Sequence, residues 1–402
     1  MATIDRATPA GEHGGFLSIF YDERVRSVVY QLVTFGVVAW LSWYLISNTS
    51  RNLEARGMSA GFGFLTEVAG FDTDFSLIPY KAGEGTYGRI FIVGILNTLL
   101  VSGLAIVITT VLGFFVGILR LTSNWVVARL AAAYIEILRN VPLLLQIVYW
   151  YAGVVLLLPR IRQSIHLLNA DSLYLNIRGL YFPSPVPHEA LWASVIAFVV
   201  AIVAIVVLRR WAHRRQDETG QPFPVFWVSL AMLVGLPLVV YYASGAPLDW
   251  NVPVLKGFNF EGGWHVPPAF LALLAALGIY HSCYMAEMVR AGIQSVRKGQ
   301  TEAALSLGLR PNRTMQLVII PQAMRAIVPP MISLWMNIVK NSSLAVAIGY
   351  SDVVALFMQT ALNQSGHAVE IVALTMLFYA TISLSISGLM NIYNRRVQLR
   401  ER

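Results

Sequence analysis

Charge is scarce in this sequence. Only 12% of its 402 residues are Asp, Glu, Lys or Arg, while 56% are hydrophobic. A soluble globular protein carries about twice that share of charge, so an ordinary soluble domain is excluded. There is one cysteine, Cys283, and it lies in an apolar run, which leaves no internal disulfide framework. No G-x-x-x-x-G-K-[ST] phosphate loop occurs, so the chain does not itself hydrolyse ATP by that machinery. No H-E-x-x-H occurs either, and the seven histidines are scattered with no Ser/His/Asp set to group, so nothing points to catalysis. The opening MATIDRATPAGEHGGF lacks the basic-then-apolar form of a cleaved signal peptide, so the first apolar span is expected to stay in the mature protein. Gly83, Gly85 and Gly88 form a G-x-G-x-x-G, but outside a strand–turn–helix unit this reads as a flexible entry to the next span.

What is present is a series of long apolar runs. A run near 20 residues crosses the roughly 30 Å hydrocarbon core as a helix. Eight such spans are predicted, at 28–47, 90–119, 131–158, 190–208, 225–243, 267–289, 326–350 and 367–391. The sequence therefore predicts an all-α integral membrane protein with about eight transmembrane helices. The net charge of +8 comes largely from arginines in short loops beside the spans, where they orient a membrane protein, and no nucleic-acid partner is expected. Arg24 and Arg26, Arg120 and Arg129, Arg209 to Arg215, Arg290 to Arg325, and Arg395 to Arg400 alternate with less basic loops. The positive-inside rule then places both termini in the cytoplasm. Arg160, Arg162 and Arg178, in the predicted outer loop 159–189, run against this pattern.

Polar residues within the spans are the first candidates for function. Ser333, Asn337, Lys340 and Asn341 share one face of span seven, with Ser343 just beyond. Lys340 would cost about 2.5–3.5 kcal/mol at the centre of a lipid-facing helix, so it must face protein or water. The stripe reads either as a helix–helix hydrogen-bond seam or as the lining of a polar path. Asn97, Thr98 and Ser102 lie in span two, where the hydroxyls can bond back to their own helix. Glu136, Arg139, Pro142 and Gln146 lie in span three, with Pro142 marking a kink or a helix start. His281, Ser282 and Glu287 lie in span six, and Glu287 reads as an interfacial carboxylate with Arg290 in ion-pair range, or as a pore residue.

The stretch GQTEAALSLGLRPNRTMQLVIIPQ, Gly299 to Gln322, is a polar island between two apolar spans. Thr301 to Leu307 favours helix, and its alanines let a partner surface approach closely. Gly308 suits a left-handed C′ position, Pro311 starts a second helical piece, and Pro321 is expected to interrupt it before the next span. A solvated topology loop and a docking helix are both compatible with these residues.

The same stretch resembles the EAA loop of the membrane subunits of ATP-binding-cassette importers, through Glu302, Ala303, Ala304, Gly308 and Pro321. Tyr284, Ala286, Glu287, Arg290, Gly292, Ile293, Gly299 and Gln300 resemble the lead-in found in polar amino acid permeases. Pro321, Gln322, Ala323 and Arg325, then Lys340, Ser343 and Leu344, are similar to that subfamily's following segments, with Asn341 standing where an acidic residue is common. Glu136, Arg139, Pro142, Leu143, Leu144 and Gln146 resemble its upstream segment, and Asn97, Thr98 and Leu99 its first core helix. The whole looks most like the Q-type permease subunit of general L-amino-acid importers.

The resemblance implies a five-helix type I importer core plus one N-terminal span and an inserted helical hairpin. The chain then divides into 1–89 (tail, first span, periplasmic loop), 90–158 (first part of the core), 159–266 (periplasmic loops and hairpin), 267–394 (second part of the core with the EAA loop) and 395–402 (cytoplasmic tail). It implies a bacterial inner-membrane location and three partners besides the lipid bilayer: an ATP-binding-cassette ATPase dimer, a second homologous permease and a periplasmic amino-acid-binding protein. ATP and magnesium would belong to the ATPase, and this chain would bind no cofactor. Gln300, Glu302, Ala303, Ala304 and Gly308 would couple to the ATPase. Asn97, Thr98, Gln146, Glu287, Asn337, Lys340, Asn341 and Ser343 are the candidate path residues. The alternative, an ion-coupled secondary amino acid transporter, would also allow the intramembrane lysine and the polar stripe, but the paired repeats common in such proteins are not evident in the sequence.

Overall fold

The computed structural model describes residues 23–55, 61–169, 172–186, 191–221, 223–245 and 249–397. The first 22 residues and the last five, with Arg400 among them, lie outside the described residues. Among the described residues, seven helices are long and apolar enough to cross a membrane, and a bent pair brings the number to eight.

Helix α1 (Glu23–Ala55) carries exposed Trp40, Trp43 and Tyr44 and is not buried against the other described spans. Helix α2 (Tyr87–Leu119) begins at Thr86, whose hydroxyl accepts the Arg89 N–H at 3.2 Å. Its Gly117 lies against α7 (Pro268–Gln294), where an added Cβ would sit 2.7 Å from the Ala286 carbonyl oxygen. Small residues at such crossings let two membrane helices approach backbone to backbone. The α2–α7 pair is accordingly the centre of the body, with Val101, Ala105, Leu273, Ala276 and Leu277 in one buried cluster.

Span three, predicted over residues 131–158 with Pro142 as a kink or a helix start, is bent at that proline: α3 (Trp125–Asn140) and α4 (Leu143–Val148), with the turns that follow it to Leu157, meet at 102°. Pro142 cannot continue α3 because it lacks the N–H and holds Val141 in extended backbone, and it starts α4 instead. Both arms lie against α7.

Helices α5 (Leu191–Thr219) and α6 (Val225–Ala243) form the hairpin that composition predicts, packed chiefly on each other with their other faces uncovered. The loops on either side of this hairpin carry short strands. Strands β1 (Ile165–His166), β2 (Tyr174–Asn176), β3 (Gly179–Phe182) and β8 (Trp264–Val266) form one antiparallel sheet, and β8 runs directly into α7. Strand β4 (Ser184–Val186) pairs with β5 (Asp249–Asn251), and β6 (Val254–Lys256) with β7 (Asn259–Glu261). Phe260 stacks on Tyr174 with ring centroids 4.6 Å apart and covers the sheet.

At the other end of α7, helix α8 (Lys298–Ser306) is followed by α9 (Pro311–Thr314) and α10 (Ile320–Asn341). Pro321 was expected to interrupt this run. Instead a widened π turn, Met315–Ile319, precedes it and the helix passes through without a sharp bend. A π turn relieves the clash that the proline ring would make with the carbonyl four residues before it. After α10 the chain makes a tight turn through Ser342–Ile348 and a second wide turn, Val354–Ala361, into the short α11 (Leu362–Ser365) and the last span, α12 (Ala368–Val397).

Candidate functional site

Helix α8 is delimited as its residues dictate. Gly308 has φ of +78° with no atom near its missing Cβ, so the glycine is required by backbone conformation and not by crowding. The Gly308 N–H donates to Leu305 O at 2.9 Å and the Leu309 N–H to Ala304 O at 3.2 Å, the paired bonds of a Schellman ending. Pro311 then opens α9 at its first turn. Ala304 is 4% exposed and faces the body, whereas Glu302 and Ala303 are exposed and Leu307 is 83% exposed. The helix thus offers a carboxylate and uncovered leucines to the outside, held on a small-residue seat.

Two features tie α8 to the membrane body. Its Gln300 side chain accepts a hydrogen bond from Gln322 Nε2 at 3.2 Å, which joins α8 to the first turn of α10. Beside that junction, Ile118 of α2, Ile293 of α7 and Met315, Ile320 and Met324 line an apolar cleft of about 580 Å³, so the base of α10 is not tightly packed on α2.

The predicted path residues separate into two groups. Asn97 and Thr98 are fully buried and employed in holding the turn after α10. Asn97 Nδ2 donates to Phe75 O at 2.9 Å and Ser351 O at 2.8 Å, Thr98 Oγ1 accepts the Val353 N–H at 3.1 Å, and Tyr350 donates to Asn97 O at 3.0 Å. Gln146 is buried too, and its Nε2 reaches back across the bend to Leu138 O at 2.7 Å and Val141 O at 3.0 Å. It caps the carbonyl end of α3, which Pro142 leaves open. These three residues therefore do not line an open path in this conformation.

The second group faces outward from α10. Ser333, Asn337 and Lys340 are exposed along one stripe, and Lys340 has no carboxylate within ion-pair distance among the described residues. Ser343 is half-buried with its hydroxyl donating to Lys340 O at 2.7 Å. Asn341 turns inward, where its Nδ2 donates to His281 Nε2 at 3.1 Å while His281 Nδ1 donates to Leu277 O at 2.8 Å. The seam expected of this stripe within one chain is thus limited to Asn341, and the rest of it stands free for water or another subunit.

Glu287 sits at the α8 end of α7. It pairs with Arg290, whose Nε is 3.1 Å from Oε1, and with Arg120 at the end of α2. Arg139 lies over the Tyr284 ring, 4.9 Å from its centroid. One carboxylate therefore gathers arginines from two elements. Arg290 was visible as its i+3 neighbour, whereas Arg120 is 167 residues away and no local pattern indicates it. Asp352, between α10 and α12, is fully buried with Oδ1 accepting the Ala355 N–H at 2.8 Å, a carboxylate that residue patterns did not single out.

A family profile described as "Binding-protein-dependent transport system inner membrane component" matches residues 202–399. The chain is 46% identical over 399 residues to the general L-amino acid transport system permease protein AapQ of Rhizobium johnstonii, covering 99% of each chain. It is 49% identical over 383 residues to the putative amino-acid ABC transporter permease protein YhdX of Escherichia coli, covering 95% of this chain and 97% of that one. It is 41% identical over 416 residues to the glutamate/glutamine/aspartate/asparagine transport system permease protein BztB of Rhodobacter capsulatus, covering 96% of each. All three are permease components, and the ion-coupled carrier finds no support among them. With its bent third span, its capped α8 and this similarity along nearly its whole length, the chain belongs to the polar amino acid permeases of ATP-binding-cassette importers.

Proposed function

We propose that this chain supplies half of the translocation path of an ATP-driven amino acid importer and receives the drive of a separate ATPase through α8. The observation that carries the reading is the delimited helix itself: nine residues, ended by Gly308 and tied at Gln300 to the start of α10. Helical backbone continues from Pro311 to Asn341, about 45 Å at 1.5 Å per residue. A displacement imposed on α8 is therefore carried to Asn337 and Lys340 by a stiff element. That is the requirement for alternating access by rigid-body motion.

In this reading an ATPase dimer, holding ATP and magnesium, grips Glu302, Ala303 and the exposed leucines beside them. A second permease faces the free stripe of α10 across the path, and a binding protein delivers the amino acid at the opposite face. The relatives' names concern amino acids, including the acidic residues and their amides, and the same substrate class is assigned to this chain. In this reading the chain lies in a bacterial inner membrane, and the arginine distribution supports a cytoplasmic side for α8 and both termini. The test is reconstitution in vesicles. Uptake should require the ATPase and ATP, and uptake by this chain alone on an ion gradient would overturn the proposal.

A further inference from the structure

The arginines of the 159–189 loop play no part in the transport reading. Arg160, Arg162 and Arg178 line one cavity of about 830 Å³, whose walls include Leu158, Ile177 and Phe258. None of the three lies within ion-pair distance of a carboxylate among the described residues. Arg178 Nη1 reaches only the Phe258 carbonyl, at 3.4 Å, and the Arg162 guanidinium lies 5.6 Å from the Phe258 ring centroid. Three arginines thus line one space, none of them neutralised by a carboxylate of the described residues.

Strand direction gives the depth of that space. Strand β8 enters α7 at its Val266 end, and antiparallel β3 sets Leu180 opposite Val266. Arg178, just before β3, therefore lies at the edge of the sheet nearest the membrane. The Ile177 N–H donates to Pro159 O at 3.0 Å, which holds the start of the loop at the same level. Four residues before Pro159, Val155 belongs to the apolar cluster of the membrane body with Leu277 and Tyr350. The cavity consequently begins where the apolar spans end. Its neighbours Leu157 and Phe258 are 76% and 80% exposed, side chains that favour the hydrocarbon boundary over water.

We propose that this cavity binds an anionic phospholipid of the leaflet opposite α8, the outer leaflet in the orientation given above. Arg160, Arg162 and Arg178 hold its phosphate, and its acyl chains pass Leu157 and Phe258. Guanidinium forks match phosphate oxygens in pairs, which a point charge does not. Such a lipid also offsets three arginines in a loop whose side of the membrane is otherwise poor in them. The site does not depend on which solute is carried.

The test is native mass spectrometry of the intact detergent-purified chain titrated with phosphatidylglycerol or phosphatidylethanolamine. The wild type should prefer phosphatidylglycerol, and R160A/R162A/R178A should lose about a hundredfold in affinity for it, from about 1 kcal/mol per arginine, while phosphatidylethanolamine binding is unchanged. If the triple variant does not reach the membrane, R162E alone should weaken phosphatidylglycerol binding by about thirtyfold. Equal affinity of wild type and variant for phosphatidylglycerol, or no preference between the two lipids, overturns the proposal. So does a variant that keeps its lipid but loses salt-dependent capture of an acidic binding protein, which would make the cavity a protein dock.

Discussion

Gln322 on α10 donates to Gln300 on α8 at 3.2 Å, so the helix outside the membrane body and the long helix within it are joined by side chains as well as by the chain between them. An exposed amide pair of this kind contributes about 0.5–1.5 kcal/mol at most. Its value lies in geometry, because it keeps α8 from pivoting independently of α10. Gln322→Ala should leave melting of the purified chain nearly unchanged and lower uptake per ATP hydrolysed. Unchanged coupling would show that the covalent link through Gly308 and Pro311 is sufficient.

Gly308 separates backbone from packing cleanly. With φ at +78° and open space around its missing Cβ, any substitution acts through the left-handed conformation alone. That conformation costs a branched residue about 1–2 kcal/mol and asparagine less. Gly308→Val should therefore fray the end of α8 and depress ATP-driven uptake while Gly308→Asn retains most of it, measured in reconstituted vesicles at matched insertion.

Gln146 and Asn97 should behave as structural residues. Gln146→Leu leaves the Leu138 and Val141 carbonyls without their donor, which should cost about 1–3 kcal/mol and lower the melting temperature. Asn97→Asp turns a donor into an acceptor facing the carbonyls of Phe75 and Ser351, a larger penalty of about 3 kcal/mol. Transport lost by either variant without a change in melting would return that residue to the path.

Asn337 should behave in the opposite way. Its side chain is exposed on the stripe it shares with Lys340, so Asn337→Leu should change stability by less than about 0.5 kcal/mol. Uptake should change while ATP hydrolysis persists. Unchanged affinity and rate would assign the stripe to subunit contact instead of substrate.

Much of this arrangement was legible in the residues because its signals are local. Apolar runs mark the spans, and Gly308 and Pro311 mark the end of α8 and the start of α9. Pro142 marked the break in span three, but not its size, because the 102° angle is set by how both arms pack on α7 and by the reach of Gln146 back to α3. Pro321 misled for a similar reason: it is normally a stop, and the widened turn that accommodates it has no residue signature. The partnership of Glu287 with Arg120 and the pairing of Ser184–Val186 with Asp249–Asn251 join residues far apart in sequence, where single-chain patterns are silent.

The central claim is that α8 transmits the work of a partner ATPase, and Glu302 is its exposed carboxylate, near uncovered leucines. The decisive measurement is uptake and ATP hydrolysis by the reconstituted importer carrying Glu302→Arg, with membrane insertion and melting of the variant chain determined alongside. The account predicts normal insertion and melting, with ATP-driven uptake abolished. Full uptake by that variant would contradict it.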